Sequence, residues 1–128
     1  EISCSLVGSE MCIRDRCGKW HEAVLDYIDR NEDLVRNFLK QYFPEWTVMP
    51  REGTYLLWID CRGDGLTEEA REQWFVQQAK VGVYKGEMFG PDSRGFIRMN
   101  IALSKEMLCT AMERLRAARE ATGEFRKN

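Results

Sequence analysis

The sequence of 128 residues lacks any long apolar run, any large excess of one charge and any closely spaced cysteine pair. No apolar stretch approaches the roughly 20 residues that a membrane-spanning helix needs. The net charge of -2, with acidic and basic residues interspersed, gives no electrostatic basis for binding nucleic acid or anionic membranes. The five cysteines are odd in number and form no C-x-x-C pair, which favours reduced thiols in the cytoplasm over a disulfide framework.

Common catalytic and cofactor-binding motifs are also missing. The loop at residues 86–95 has neither G-x-G-x-x-G nor G-x-x-x-x-G-K-[ST] spacing, so no phosphate-binding loop is predicted. His21 is the only histidine and has no evident nucleophile beside it. It can be counted as a zinc ligand with Cys4, Cys12 and Cys17, but without a C-x-x-C pair we predict no metal site. We therefore predict no catalytic residue and no metal ligand within the chain.

The first part of the chain differs from the rest. Residues 1–17 have no sustained helical or strand periodicity and no signal-peptide pattern, and they resemble a translated sequencing adapter. We expect them to be an artefactual or disordered leader. Residues 18–120 are expected to form one domain, and residues 121–128 a tail.

Hydrophobic periodicity predicts a long helix first and a strand after it. Apolar residues recur at steps of three and four from Trp20 to Tyr42, which predicts an amphipathic helix that Pro44 ends. Residues 47–49 form a short predicted strand. Residues 55–60, YLLWID, form the clearest strand, and because both of its faces are apolar we expect both to be covered.

The remaining chain predicts two further helices and one more principal strand. Thr67 is a predicted helix N-cap, and Gly82 is the predicted left-handed end of that helix. After a short extended piece at residues 83–84, a strand is predicted at residues 96–102, and a last helix is capped by Ser104 and ended by Gly123. This order predicts an α+β fold, with a small, mainly antiparallel or mixed sheet, helices packed on it and the long helix in front.

Arg98 is the most informative polar residue of the last strand. It alternates with Ile97 and Met99, so it lies on the opposite face from these apolar residues. A planar guanidinium beside a glycine-containing loop can bind a carboxylate through two hydrogen bonds. From the strand pattern alone, an arginine on the solvated face of a sheet explains the same spacing.

Three segments together resemble fold-type I pyridoxal-phosphate enzymes. Residues 20–31, WHEAVLDYIDRN, are similar to the interdomain helix of these enzymes. Residues 50–60, PREGTYLLWID, resemble a strand of their C-terminal small domain, in the form found in cystathionine β-lyases of the MalY/PatB group. Phe89-Gly90 and residues 95–102, GFIRMNIA, complete a match that spans about residues 18–118.

The resemblance implies roles for particular residues. In the family, the arginine of the last strand binds the α-carboxylate of the substrate, and this role falls on Arg98. Gly53, Phe89, Gly90 and Asn100 are implied as possible active-site loop residues. The Schiff-base lysine and the other contacts to the cofactor belong to the large domain of the family, so no lysine of this chain is assigned to pyridoxal 5'-phosphate.

The resemblance also implies a function and partners. The chain is expected to be a fragment of a cytoplasmic, homodimeric C–S β-lyase that eliminates a thiol from an amino acid and yields pyruvate and ammonia. The cofactor would act as an electron sink in the intact parent. The fragment's partner would be the large domain of the same enzyme, without which it is expected to be inactive. A related aminotransferase fragment, or a free-standing α+β domain that binds ligands or other proteins, is the alternative.

Overall fold

A computed structural model describes residues 16–123 of the chain. It divides into two compact units, with the boundary between Arg30 and Asn31. Most of the expected leader, residues 1–15, and the final residues 124–128 lie outside the described part. In residues 16–123, no helix combines the length and apolarity needed to cross a membrane.

The predicted long helix is confirmed. Helix α1 is Gly18–Tyr42, and it ends two residues before Pro44, which has no N–H to continue the hydrogen-bond ladder. The boundary between the two units lies within this helix, after Arg30. In the second unit, Val35 and Leu39 are fully or almost fully buried, one helical turn apart.

Four strands form one antiparallel sheet in the order β1-β2-β4-β3. The strands are β1, Thr47–Val48; β2, Leu56–Asp60; β3, Tyr84–Lys85; and β4, Phe96–Asn100. The prediction of a small antiparallel sheet is therefore confirmed. Backbone hydrogen bonds from Cys61 N to Gly95 O (2.8 Å) and from Ile101 N to Tyr55 O (2.9 Å) lie just beyond the two ends of the β2–β4 pairing.

The two faces of the central strands differ in burial. One face carries Leu57 and Ile59 from β2 and Ile97 and Met99 from β4, each at most 4% exposed. The other face carries Leu56, Trp58, Phe96 and Arg98, which keep partial exposure. The expectation that both faces of β2 are covered therefore holds for only one face in the described part of the chain. We call the half-exposed side the open face.

The helices bury their apolar residues in the same core as the covered face. Helix α2, Glu68–Gln73, begins at Thr67, whose side chain accepts a hydrogen bond from Ala70 N (3.2 Å). Helix α3, Lys105–Thr122, begins with Ser104 as N-cap and ends with Gly123 at a φ of 58°, as predicted. The core includes Leu108, Met112 and Leu115 of α3, and Trp74, Phe75 and Ala79 from the residues that follow α2.

The predicted end of the second helix is wrong. The helix α2 widens into a π-helix at Trp74–Ala79 and is closed by Lys80 at a φ of 53°, two residues before the predicted cap Gly82. Phe75 O accepts hydrogen bonds from the N–H groups of Lys80 and Val81, the wide closure of a π-turn. A sequence prediction based on the regular α-helical period misses this change, because local propensity favours glycine in the left-handed conformation.

Candidate functional site

Arg98 lies in the middle of the open face. In the strand register it faces Trp58 of β2 on one side and Tyr84 of β3 on the other. Phe96 and Asn100, two residues before and after it, lie on the same face because side chains alternate along a strand. The antiparallel pairing therefore surrounds one cation with aromatic and polar neighbours.

Two aromatic rings contact the Arg98 guanidinium. Its Cζ lies 4.2 Å from the ring centroid of Phe89 and 4.9 Å from that of Tyr84. Phe89 also meets Trp58 edge to face, with ring centroids 5.8 Å apart. Such cation–π contacts restrict the guanidinium while leaving its hydrogen-bond donors free, because a ring face contains no strong acceptor.

The donors of Arg98 have no protein partner within residues 16–123. Its Nε is shielded from solvent and lacks an acceptor, and Arg98 forms no ion pair with any described carboxylate. A shielded N–H without an acceptor is uncommon and costs free energy. An arginine held in this state can bind an external carboxylate without first breaking an internal salt bridge.

The loop after β3 determines where Phe89 lies. A Cβ on Gly86 would come within 2.1 Å of Ser93 O, so only glycine allows the two arms of the loop to approach this closely. Gly90 has a φ of 137° and a ψ of 156°, a region that is essentially restricted to glycine. An ion pair of 2.9 Å between Glu87 and Arg94 also joins the arms. Phe89 is therefore presented by a compact loop.

The predicted site residues do not all come together. Phe89 contacts Arg98, and Gly90 follows it directly in the loop. Asn100 shares the open face with Arg98, but its Oδ1 accepts a hydrogen bond from Ala102 N (2.8 Å) in a local turn. Gly53 lies in the loop before β2, beyond the strand end where Leu56 pairs with Asn100. Only Phe89 of these four contacts the guanidinium in the described structure.

Sequence reasoning missed the contributions of Tyr84 and Trp58. Both lie opposite Arg98 only because β3 and β2 flank β4, and no local pattern indicates that strand order. The alternation of residues 55–60 places Trp58 on the face opposite Leu57 and Ile59. An aromatic residue on the same face as a strand arginine was therefore the feature of the sequence that could have indicated that Trp58 lies near Arg98.

A second arginine, Arg71, shows what a structural role looks like in this chain. It is 3% exposed, and it donates to Asp64 through Nε (2.9 Å) and Nη2 (2.8 Å) and to Glu68 through Nη1 (2.9 Å). Burial alone would lower the pKa of the Arg71 guanidinium, but the hydrogen bond and charge of Asp64 outweigh it and the pKa is raised. Glu68 also accepts from Gly95 N (2.5 Å), so this network supports the loop next to β4.

A cleft beside β3 differs from a pyridoxal-phosphate site in its size and in the state of its lysine. The cleft has a volume of about 170 Å³. It is lined by apolar residues such as Phe75 and Met88, and Arg98 is not among its lining residues. Typical ligand sites are roughly 300–1,000 Å³. Its lysine, Lys85, is paired with Glu72 (2.7 Å), and this hydrogen bond raises the pKa of the amine. A Schiff base needs an accessible neutral amine, so these residues do not fit pyridoxal phosphate.

Comparisons with known proteins give consistent relatives, although no family model matches the chain. Cystathionine β-lyase PatB of Bacillus subtilis is 30% identical over 101 residues, covering 79% of this chain and 26% of PatB. An aspartate aminotransferase of Pyrococcus horikoshii is 30% identical over 95 residues, covering 74% of the chain and 24% of the enzyme. The crystal structure of cystalysin from Treponema denticola, which contains pyridoxal 5'-phosphate, superimposes with a TM-score of 0.81 at 33% identity, covering 88% and 28% of the two chains.

Fold and comparisons together define the class of protein. The α+β arrangement is that of the C-terminal small domain of fold-type I pyridoxal-phosphate enzymes. Its homologues are cystathionine β-lyases and pyridoxal-phosphate-dependent aminotransferases, which confirms the resemblance of its sequence motifs to that class. It spans about a quarter of the length of the curated relatives it matches.

Proposed function

We propose that this chain is the small domain of a pyridoxal-phosphate-dependent C–S β-lyase, and that Arg98 binds the α-carboxylate of its amino-acid substrate. The observation that carries the proposal is the state of Arg98. Its guanidinium is held by two aromatic rings on the open face and has no carboxylate partner in the described residues. The similarity to the cystathionine β-lyase PatB supports the choice of a C–S lyase.

The physical argument rests on charge and geometry. An arginine presents a planar set of donors that matches the two oxygens of a carboxylate, and such charge-assisted pairs are roughly twice as strong as neutral hydrogen bonds. The neighbouring rings of Phe89, Tyr84 and Trp58 lower the local polarity and strengthen the pair further. A fixed carboxylate restricts the orientation of the substrate's α-carbon, which is where bond cleavage must be directed.

The rest of the active site is proposed to come from a large domain of the same enzyme. That domain would supply the cofactor and its lysine, because the cleft beside Lys85 does not fit them. It would also cover the open face and exclude water from the Arg98 contact. The intact enzyme is proposed to be a cytoplasmic homodimer that releases a thiol, pyruvate and ammonia.

An aminotransferase is the second candidate. A curated aspartate aminotransferase is as similar in identity as PatB, at 30%. Binding of an α-carboxylate serves either reaction, because every α-amino acid carries that group. The lyase and aminotransferase reactions are therefore distinguished by the product that is formed from a sulfur amino acid.

A chimera tests the proposal. Residues 18–123 are joined to the large domain of PatB, and the product is assayed with L-cystathionine and with an amino acid plus an α-keto acid. We expect pyruvate release to exceed amino-group transfer. Arg98→Ala should lower kcat/KM by about 30- to several-thousand-fold, because removing one partner of a buried charge pair costs roughly 2–5 kcal/mol.

The controls are other arginine variants. Arg98→Lys should restore only part of the activity, since an ammonium lacks the planar set of donors. Arg94→Ala should have little effect, because an exposed ion pair such as that of Arg94 with Glu87 contributes at most about 1 kcal/mol. An active chimera in which Arg98→Ala is neutral would exclude the carboxylate-binding role. If amino-group transfer dominates, the proposed function changes from a lyase to an aminotransferase.

A further inference from the structure

We infer that Phe89, supported by Tyr84, is a positioning residue that holds the Arg98 guanidinium so that its Nη groups face the substrate carboxylate. This inference rests on the proposed function of Arg98 and extends it to the loop after β3. Phe89 acts through Arg98 and is assigned no contact with the substrate.

The first support is the contact geometry. Phe89 lies closer to the guanidinium than Tyr84 does, at 4.2 Å against 4.9 Å. Phe89 also packs edge to face on Trp58, the register partner of Arg98 on β2. One ring therefore connects the arginine to the neighbouring strand, which restricts rotation of a side chain that otherwise has many rotamers.

The second support is which donors remain accessible. Among the guanidinium nitrogens of Arg98, only Nε is both shielded from solvent and without a partner. A carboxylate that approaches Arg98 therefore meets the two Nη groups first. Shielding Nε from solvent costs a hydrogen bond to water, and the cation–π contacts of the guanidinium offset that cost in part.

The third support is the construction of the loop. Gly86 allows a backbone approach that any Cβ would block, and Gly90 adopts a conformation restricted to glycine directly after Phe89. Glu68 accepts a hydrogen bond from Gly95 N at the far end of the loop. The loop is thereby fixed at its start, behind Phe89 and at its end, so the ring's position follows from the backbone.

The test uses nitrogen-15 NMR on the full 128-residue chain. It measures solvent exchange of the Arg98 Nε–H and its heteronuclear NOE. We expect slow exchange of this N–H in the unmodified chain. In Phe89→Leu, exchange should be about two- to fivefold faster, because that factor corresponds to the free energy of one cation–π contact. The heteronuclear NOE of the same N–H should be reduced. Phe89→Tyr keeps a ring at the same place and should restore the slow exchange.

Phe96→Leu is the matched control. Phe96 lies on the same face but stacks on Trp58 and on Arg62, not on Arg98. Its loss should leave Arg98 exchange unchanged. Equal exchange in Phe89→Leu and the unmodified chain would overturn the inference, as would an equal acceleration in Phe96→Leu.

Two further measurements keep the test decisive if Phe89→Leu does not fold. In the unmodified chain, Arg98 Nε–H should exchange more slowly than the Nε–H of the exposed Arg114, and equal rates would overturn the inference. In Tyr84→Leu, at an exposed edge-strand position, Phe89 still contacts Arg98, so the Arg98 Nε–H should continue to exchange more slowly than that of Arg114. Equal rates in that variant would overturn the role of Phe89. The chimera result is independent: a neutral Arg98→Ala would exclude the proposed function without altering these exchange rates.

Discussion

The two faces of the β2–β4 pair are made by alternate residues of the same two strands, yet they have different physical roles. The covered face is aliphatic, and each of its residues is at most 4% exposed. The open face is aromatic and cationic, with Trp58 stacked on Phe96 at 5.5 Å and Arg98 in contact with Phe89. Stability is therefore concentrated on one face, and the other remains available for binding.

The two arginines Arg71 and Arg98 show the same contrast. Arg71 is buried and bonded to two carboxylates, whereas Arg98 is half-exposed and bonded to none in residues 16–123. A cation whose donors are all used internally supports the fold. A cation whose position is fixed and whose donors are unused is available for a ligand.

The largest expected effect is a difference in the free energy of unfolding between variants of these two arginines. Arg71→Met should lower the free energy of unfolding by about 3–5 kcal/mol, because it leaves the fully buried Asp64 carboxylate without its cation. Arg98→Met should change it by about 1 kcal/mol or less, since only aromatic contacts are lost. Urea denaturation of both variants measures the difference. Similar losses would mean that Arg98 also has a structural role.

A smaller difference in the free energy of unfolding is expected between alanine variants of two neighbouring leucines on β2. Leu57→Ala, on the covered face, should cost about 2–5 kcal/mol, because it leaves a cavity in a packed core. Leu56→Ala makes the same chemical change on the open face and should cost about 1 kcal/mol. Denaturant midpoints at several protein concentrations check both values. A large cost for Leu56 that depends on concentration would show that the open face is buried by self-association.

The smallest effect concerns the pH dependence of the open face. The Arg62 guanidinium, which donates to the carboxylate of Asp60 (2.7 Å), holds the pKa of that group below its usual value of 3.8. A depressed folded pKa gives stability that is present above the unfolded pKa and is lost as the pH falls through the folded pKa. Arg62→Gln should raise the pKa of Asp60 in an NMR titration and reduce the loss of stability below about pH 4. An unchanged titration would mean that Arg62 is not the cause.

Sequence reasoning predicted those features that local residues determine. Ser104 and Thr67 act as N-caps and Gly123 as a left-handed cap, because each of these roles depends on a few adjacent residues. The end of the second helix was predicted wrongly, because the π-helical turn that places Lys80 in the left-handed conformation depends on packing of Trp74 and Phe75 in the core.

The candidate site was predicted only in part for a related reason. The resemblance to a known family assigned the carboxylate to Arg98, and that role stays a prediction. The same motifs implied that Phe89 lies in a possible active-site loop, but its contact with Arg98 was not predicted. The contact made by Tyr84 depends on β3 pairing with β4 across the loop. Strand order is a long-range property, and alternation along one strand carries no information about it.

The hydrogen bonds that bracket the β2–β4 pairing, from Cys61 N to Gly95 O and from Ile101 N to Tyr55 O, have a consequence for how this sequence can change over evolution. Deleting one residue inside β4 would turn the arginine inward and an aliphatic residue outward. Deleting two would restore the faces but move Arg98 away from Trp58 and Tyr84. Single-residue insertions and deletions should therefore be selected against within this strand, and length variation should collect in loops such as the one around Gly53, outside the β2–β4 pairing.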